Sequence, residues 1–266
     1  MKNFIMSEMF DGILLATIIS VVSFKLKFLT KSGAVGTFIL AVIIYSVGGW
    51  KTTFPILAFF ILSSILSKIG KKQKSEAQSV FEKTGQRDII QVFANGGIAT
   101  IITLVMFATN EINQFYIYYL STIAAVTADT WGTEIGILSK KQPRLITNLK
   151  ITVVGTSGAV SLFGLLGGII GAIIIAIIGN YFQPLTYFEI IGIVNSGFIA
   201  SLIDSILGAT IQSQYRCSIC NKITERKIHC ENNTTLISGI PFINNDIVNI
   251  LCAVAGVVVS IIYFSF

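Results

Sequence analysis

Residues 152–179, TVVGTSGAVSLFGLLGGIIGAIIIAIIG, hold no ionisable side chain across 28 positions. A helix rises about 1.5 Å per residue, so about 20 such residues cross the ~30 Å hydrocarbon layer of a bilayer. The same ruler finds seven more blocks, at approximately 10–26, 32–50, 52–69, 88–108, 114–138, 186–209 and 246–265. Composition agrees: 53% of residues are hydrophobic and 12% charged, about half the charged share of a soluble domain, with mean hydropathy +0.78. A soluble enzyme, a disordered chain and a secreted disulfide scaffold are all excluded. An outer-membrane barrel is excluded too, because its strands alternate every second residue instead of staying apolar for twenty. The expected fold is all-α, a polytopic transmembrane bundle of about eight spans forming one integral membrane domain over 1–266.

Charge gives the orientation. Of 19 lysines and arginines, 17 fall in the odd-numbered loops: Lys25, Lys27 and Lys31; Lys68 to Arg87; Lys140 to Lys150; Arg216 to Lys227. The positive-inside rule places those loops in the cytoplasm and both termini outside. The segment Met1–Gly12 carries Glu8 and Asp11 and does not read as a signal peptide. The net charge of +6 is then a topology signal. Nucleic-acid binding is not expected, since basic and aromatic residues are not interleaved. Two cytoplasmic segments are long: a basic loop at 67–87, expected to be a helix lying on anionic headgroups, and a Cys-containing loop at 211–242. The Ile, Lys and Asn richness looks prokaryotic, which makes the plasma membrane the expected location.

The informative residues are ionisable groups inside the apolar blocks, each costing about 2.5–3.5 kcal/mol at mid-helix. Asp129, Glu134 and Asp204 qualify, with Asp88 and Asp246 at the mouths of the fourth and eighth spans. Asp129 shares a helical face with Thr133 and Gly136, and Thr130 shares another with Glu134; a bend at Gly132 and Gly136 would bring both acids into one cavity. Asp204 shares a face with Gly197, Ser201 and Gly208. Gln91 and Asn95 form a stripe with Asp88 that ends in Asn95-Gly96-Gly97. Asn245 and Asn249 flank Asp246. Lysine and arginine fall only at span ends (Lys25 and Lys68), so no protein cation is expected at that depth. The acids are then protonated, hydrated or bound to a cation. Three readings follow: a Mg²⁺–phosphate site built from hard oxygen donors (Asp129, Glu134, Asp204, Asp88, Asp246), a proton or cation path, or inert packing.

The glycines of the sixth span, Gly164/Gly168 and Gly167/Gly171, are at close-packing spacing. The run Gly155-Thr156-Ser157-Gly158 at the start of that span suits an anion, although the lysine of a Walker A motif is missing. Arg87, Lys140, Lys141, Arg144 and Lys150 face the same side and are candidates to clamp phosphates. Cys217, Cys220 and Cys230, with His229 beside the last, are either a Zn²⁺ site, strained by adjacent ligands, or reduced thiols in a folded loop. Cys252 reads as an apolar packer. A faint repeat relates ADTWGTEIG (128–136) to IDSILGAT (203–210), each placing an Asp and a later Gly on an inward-running helix.

These pieces resemble a known family. The segments NGG (95–97), ADTWGTEIG (128–136), GTSGAVS (155–161), DSILGATIQ (204–212), the CxxC at 217–220 and Asn245-Asp246-x-Val248-Asn249 are similar, in order, to the multi-pass membrane proteins that include transmembrane protein 19 and plant chloroplast phytyl-phosphate kinase. They cover about two-thirds of the chain. Gly132 stands where that family more often has Ala. The 129–136 segment is also similar to CTP-dependent polyprenol kinases and CDP-lipid synthases. The resemblance implies a phosphoryl transfer from a nucleoside triphosphate, CTP or ATP, to an isoprenyl monophosphate, with Mg²⁺ on the carboxylates. Two other classes stay open: a secondary transporter, which shows flux in sealed vesicles, and a scaffold, which tolerates neutralised acids.

Overall fold

An apolar block in a bilayer folds as a helix because lipid offers its backbone N–H and C=O groups no partner. In the computed structural model, which describes residues 2–70, 74, 80–83, 85–109 and 111–266, the helices are α1 (Lys2–Lys25), α2 (Lys31–Lys68), α3 (Ile89–Thr109), α4 (Ile112–Gly136), α5 (Leu162–Phe182), α6 (Tyr187–Thr210) and α7 (Asn245–Phe264). By length and composition α2, α3, α5, α6 and α7 can cross a membrane.

Thirty-eight residues of α2 would extend about 57 Å if straight. Its two ends instead both reach Arg87. Thr30 N donates to Arg87 O (3.0 Å), and Arg87 Nη1 donates to Ser64 Oγ (2.6 Å). The chain folds back at Gly49, whose φ of 64° is cheap only without a Cβ. Thr52 Oγ1 lies 3.1 Å from both the Ile44 and Gly49 carbonyls and closes the bend. The break falls where the second and third expected spans adjoin.

Helix α4 is the centre of the bundle. Residues 119–128 are buried without interruption, because α2, α3, α5, α6 and α7 all pack on it. A helix sheathed by protein needs little apolarity of its own, so α4 tolerates Tyr, Ser, Thr, Asp and Glu. Tyr116 donates to the Gly179 carbonyl (3.1 Å), Tyr119 to that of Thr52, and Thr122 to that of Ala253 (2.8 Å). The backbones of α4 and α5 touch along glycines: a Cβ on Gly164 would lie 2.7 Å from Gly132 O, and one on Gly168 3.0 Å from Ala128 O. This is the close packing expected from the spacing. Cys252 is packed between Ala125 and Ala200, as an apolar residue would be. The outer surface carries Phe107, Ile170, Ile177 (58% exposed) and Ile262, an apolar face suited to lipid and too extensive for water.

Two departures from the expected spans matter. Helix α5 begins at Leu162, not near 152; Ser161 caps it, its Oγ accepting from Gly164 N at 3.1 Å. Residues 144–160 form a loop instead, with β1 (Arg144–Leu145) antiparallel to β2 (Ala159–Val160). Gly155 (φ 89°) and Gly158 (φ 74°) cannot continue a helix, and Val153 stands 72% exposed. The second departure is that the all-α description holds for the bundle alone. The loop after α6 folds as a ribbon: β3 (Gln214–Arg216), β4 (Ile223–Thr224), β5 (Ile228–His229), β6 (Asn232–Asn233) and β7 (Thr235–Ser238), with sheet order β4-β3-β7 and a separate β5-β6 pair. Of the surface helix expected over 67–87, residues 71–73, 75–79 and 84 lie outside the described residues, while 80–83 and 85–87 are turn, bend and bridge instead of helix.

Candidate functional site

Helices α4 and α6 bring Asp129 and Asp204 together at the basic end of the bundle. Gly197 admits this approach, since a Cβ there would lie 2.7 Å from that of Ala124 one to two turns before Asp129. The two carboxyl groups lie within hydrogen-bonding reach of one another. Asp204 Oδ2 is buried and, among the described residues, has no hydrogen-bond partner. They line a cavity of about 130 Å³ with Thr133, Ser201, Ser205 and Asn245. One wall is the Gly155–Ser161 loop. It lies so close on α6 that a Cβ on Gly158 would sit 2.4 Å from Ser205 O. Two facing acids with an unpaired oxygen fit a hard divalent cation such as Mg²⁺, which takes carboxylate oxygens.

Asp129 also lines a second, larger chamber of about 570 Å³. Its walls are cationic: Lys27, Lys68, Lys74, Lys83 and Arg87, with Glu134, Asp246, Asn95 and Thr130 among them. Lys74, only 2% exposed, donates to Glu134 (2.5 Å). Lys83 bridges Asp88 (2.8 Å) and Asp246 (2.5 Å). Partial burial lowers the Lys83 ammonium, but these two partners outweigh it and its pKa stands above the ordinary lysine value. Phe59, Arg87, Gln91 and Asn95 are shared with a third, apolar slot of about 80 Å³ between α1, α2 and α3, lined by Ile19, Leu40, Ile44 and Phe60. An acid pair, a basic chamber and an apolar slot therefore adjoin in that order.

The ribbon contributes an acid from outside the bundle. Glu225, 8% exposed, accepts from Ser157 Oγ (2.7 Å), Gln212 Nε2 (2.7 Å) and Glu82 N (3.2 Å), and lines both chambers. Burial pushes its carboxyl above the usual 4.5, against the pull of those donors. The folded protein thus holds this proton more tightly than the unfolded chain. Its contribution to stability is complete below 4.5 and is lost as pH rises through the folded value. Glu225→Gln is expected to flatten that decline, measured as melting temperature from below pH 4.5 to neutrality; an unchanged profile would mean that this carboxyl does not set it.

At the ribbon's far end the ligand atoms of Cys217, Cys220, His229 and Cys230 all lie within 4.8 Å of one another. His229 Nδ1 is 3.6 Å from Cys220 Sγ and 3.2 Å from Cys230 Sγ. The backbone N–H of Cys220 is the largest influence drawing the Cys217 thiol down to about 6.

The sequence profile of an integral membrane protein family, DUF92, matches residues 14–257. The chain is a DUF92 protein. It is 30% identical to the uncharacterized membrane protein MJ0933 of Methanocaldococcus jannaschii over 97% of this chain and 94% of that one. It is 31% identical to Protein PGR of Arabidopsis thaliana over 90% of each. With Protein VTE6, chloroplastic, of the same plant, identity is 28% over 90% of this chain and 66% of that one. No solved structure matches it.

In this DUF92 protein the expected residues divide into groups. Asp129 and Asp204 share the acid chamber with Gly155, Thr156 and Ser157; Glu134, Thr130, Asn95, Arg87 and Asp246 are in the basic one. Asp129 and Glu134 do line one cavity, the basic chamber, but without the expected bend, because α4 runs as continuous helix to Gly136. The absence of a protein cation is overturned for Glu134, Asp88 and Asp246: long lysine stems from the 67–87 segment reach back to them. Asp88 also accepts from Gln91 N (2.9 Å) and caps α3. Gly96 packs against Leu40 and Ile56, and Gly97 faces Phe93. Lys140, Lys141 and Arg144 are exposed and line none of the three cavities; Arg144 Nη1 donates to Leu149 O (2.7 Å). Lys74, Lys83, Gln212 and Glu225 were not expected. The available signals were their place in the two long loops beside the span ends and, for Gln212, the last position of the DSILGATIQ segment.

Proposed function

We propose that this DUF92 protein is a membrane-embedded, Mg²⁺-dependent lipid kinase that transfers a phosphoryl group from a nucleoside triphosphate, CTP favoured, to an isoprenyl monophosphate such as phytyl or geranylgeranyl phosphate. The observation that carries the reading is the order of the three cavities. An amphiphilic monophosphate matches the basic chamber with its headgroup and the apolar slot with the first part of its tail, the remainder passing to lipid. The donor then belongs on the other side of Asp129, between the acid pair and the Gly155–Ser161 loop. The motifs shared with phytyl-phosphate kinases and CTP-dependent polyprenol kinases support the same assignment. In this reading the basic end faces the cytoplasm, the chain crosses the plasma membrane eight times, and both termini lie outside. The cation excess at that end supports this orientation.

In the reaction, an acceptor phosphate oxygen attacks the γ-phosphorus of the donor. The bond from that phosphorus to its bridging oxygen breaks, giving isoprenyl diphosphate and nucleoside diphosphate. Asp129, Asp204 and Asn245 are the residues that would hold Mg²⁺, which when bound neutralises charge on the donor phosphates. Arg87, Lys83 and Lys74 attract the acceptor and hold it for in-line attack. The attacking oxygen is already anionic, so no general base is needed, and the absence of histidine from the helices is consistent with this. The test is incubation of inverted membrane vesicles with Mg²⁺, labelled CTP or ATP, and phytyl or geranylgeranyl monophosphate. Label in an isoprenyl diphosphate, without permeabilisation, is the expected result. Activity only after permeabilisation would reverse the orientation. No transfer by folded protein with any donor and acceptor would sink the kinase reading and move the question to substrate flux.

A further inference from the structure

We propose that Cys217, Cys220, His229 and Cys230 hold one zinc ion, and that this ion fixes the ribbon that carries Glu225 to the site between the helices. The proposal is independent of the reaction the chambers perform. Three sulfurs and one imidazole are soft and borderline donors with no carboxylate among them, a set that selects zinc over Mg²⁺ or Ca²⁺. All four free ligand atoms lie inside a sphere that a tetrahedral ion spans. Metal–sulfur and metal–nitrogen bonds of about 2.3 and 2.0–2.1 Å put ligand nitrogen and sulfur about 3.5 Å apart. The separations of 3.6 and 3.2 Å from His229 Nδ1 bracket that value.

The backbone is shaped for the same purpose. Cys217 and Cys220 sit on the turn between β3 and β4, where Asn221 N donates back to Cys217 O (3.0 Å) and Asn221 adopts a φ of 57°. His229 ends β5, and Cys230 opens the turn to β6. Adjacent ligands are difficult on an extended strand because their side chains diverge. Here Cys230 has a left-handed φ of 52°, and its Sγ comes to the same side as His229 Nδ1.

Away from the bundle, little apolar packing among the described residues stiffens the ribbon. Its strands are two to four residues long, and Ile219, Ile223, Ile228, Leu236 and Ile237 are exposed instead of forming a core. Units this small hold their shape through a staple. Glu225, meanwhile, depends on that shape. Glu225 N and Thr224 Oγ1 both donate to Val80 O (2.8 Å each), and Arg226 Nε donates to Phe81 O (2.8 Å), so the β4 end of the ribbon is latched to the segment leading to Lys83.

The test is elemental analysis of the full chain purified in detergent without a polyhistidine tag, paired with limited trypsin digestion at the exposed Lys222 and Lys227. One zinc per chain is expected, with loss of the ion in Cys220→Ser and Cys230→Ser. Stripping zinc from the unmodified protein with a strong chelator is expected to speed cleavage at those lysines by roughly tenfold or more, and zinc alone to restore protection. The chelator arm stands even where the substitutions fail to express. A folded chain with no bound metal, one with a disulfide among these cysteines, one holding a different metal, or digestion indifferent to zinc would overturn the proposal.

Discussion

Asp204→Asn is expected to lower phosphoryl transfer by on the order of 10³-fold while the bundle keeps or gains stability. The two halves of this expectation come from one geometry. Asp204 faces Asp129 within hydrogen-bonding reach, and its Oδ2 is buried with no partner among the described residues. An amide in its place can donate to Asp129 and removes a like charge facing it, so the folded state loses no contact. In the kinase reading, what it loses is half of the proposed divalent-cation site, and with it the charge that balances the donor phosphates. Activity and melting temperature measured together give the signature: less transfer, equal or higher stability. A variant as active as the parent would remove the acid pair from the reaction. A variant that is inactive and also unstable would make the pair a structural element instead.

The second large effect is expected at Lys83. Its ammonium bridges Asp88 and Asp246, and the Asp246 side chain is buried. Lys83→Gln strands that carboxylate, at a cost of about 3 kcal/mol, the lower end of the range for breaking a buried pair because Lys83 itself is partly exposed. In the kinase reading the same change also weakens capture of the acceptor phosphate, raising KM more than it lowers kcat. Asp246→Asn in the Lys83→Gln background is expected to restore most of the stability and none of the affinity, since it removes the stranded charge without returning a cation. Additive losses in stability would show that the two side chains are not coupled.

How much of this was legible beforehand depended on where each residue lies. Apolar length located the helices, and the break at Gly49 coincides with a boundary drawn from hydropathy alone. Polar residues at similar depth on several spans pointed to one end of the bundle, and Asp129 and Asp204, matching positions in the faint repeat, do meet. Several mismatches arise because sequence neighbours are not always spatial ones. Lys140, Lys141 and Arg144 follow directly after α4 in the chain, yet a turn carries them away from the chambers. Lys74 and Lys83 are far from Glu134 and Asp246 in sequence, and loop folding returns them. Thr152, Val153 and Val154 read as the start of a helix because hydropathy has no sense of the positive φ that Gly155 and Gly158 impose. Glu225 was invisible to a search for acids inside apolar blocks, since it reaches the site from a soluble ribbon.

The enclosure of α4 by other helices also constrains how the protein is made. A segment carrying Asp129 and Glu134, offered to lipid alone, would pay about 2.5–3.5 kcal/mol for an acid near mid-helix. Ribosomal output delivers α4 before α5, α6 and α7, three of the helices that sheathe it. The nascent chain must therefore hold α4 beside the insertion machinery, or against α2 and α3, until the glycine-lined face of α5 emerges to cover it. Chain order thus becomes part of the architecture. The helix that carries Asp129 and Glu134 is poorly able to enter the membrane unaided, and the very apolar helix that follows it supplies the partner it has to wait for.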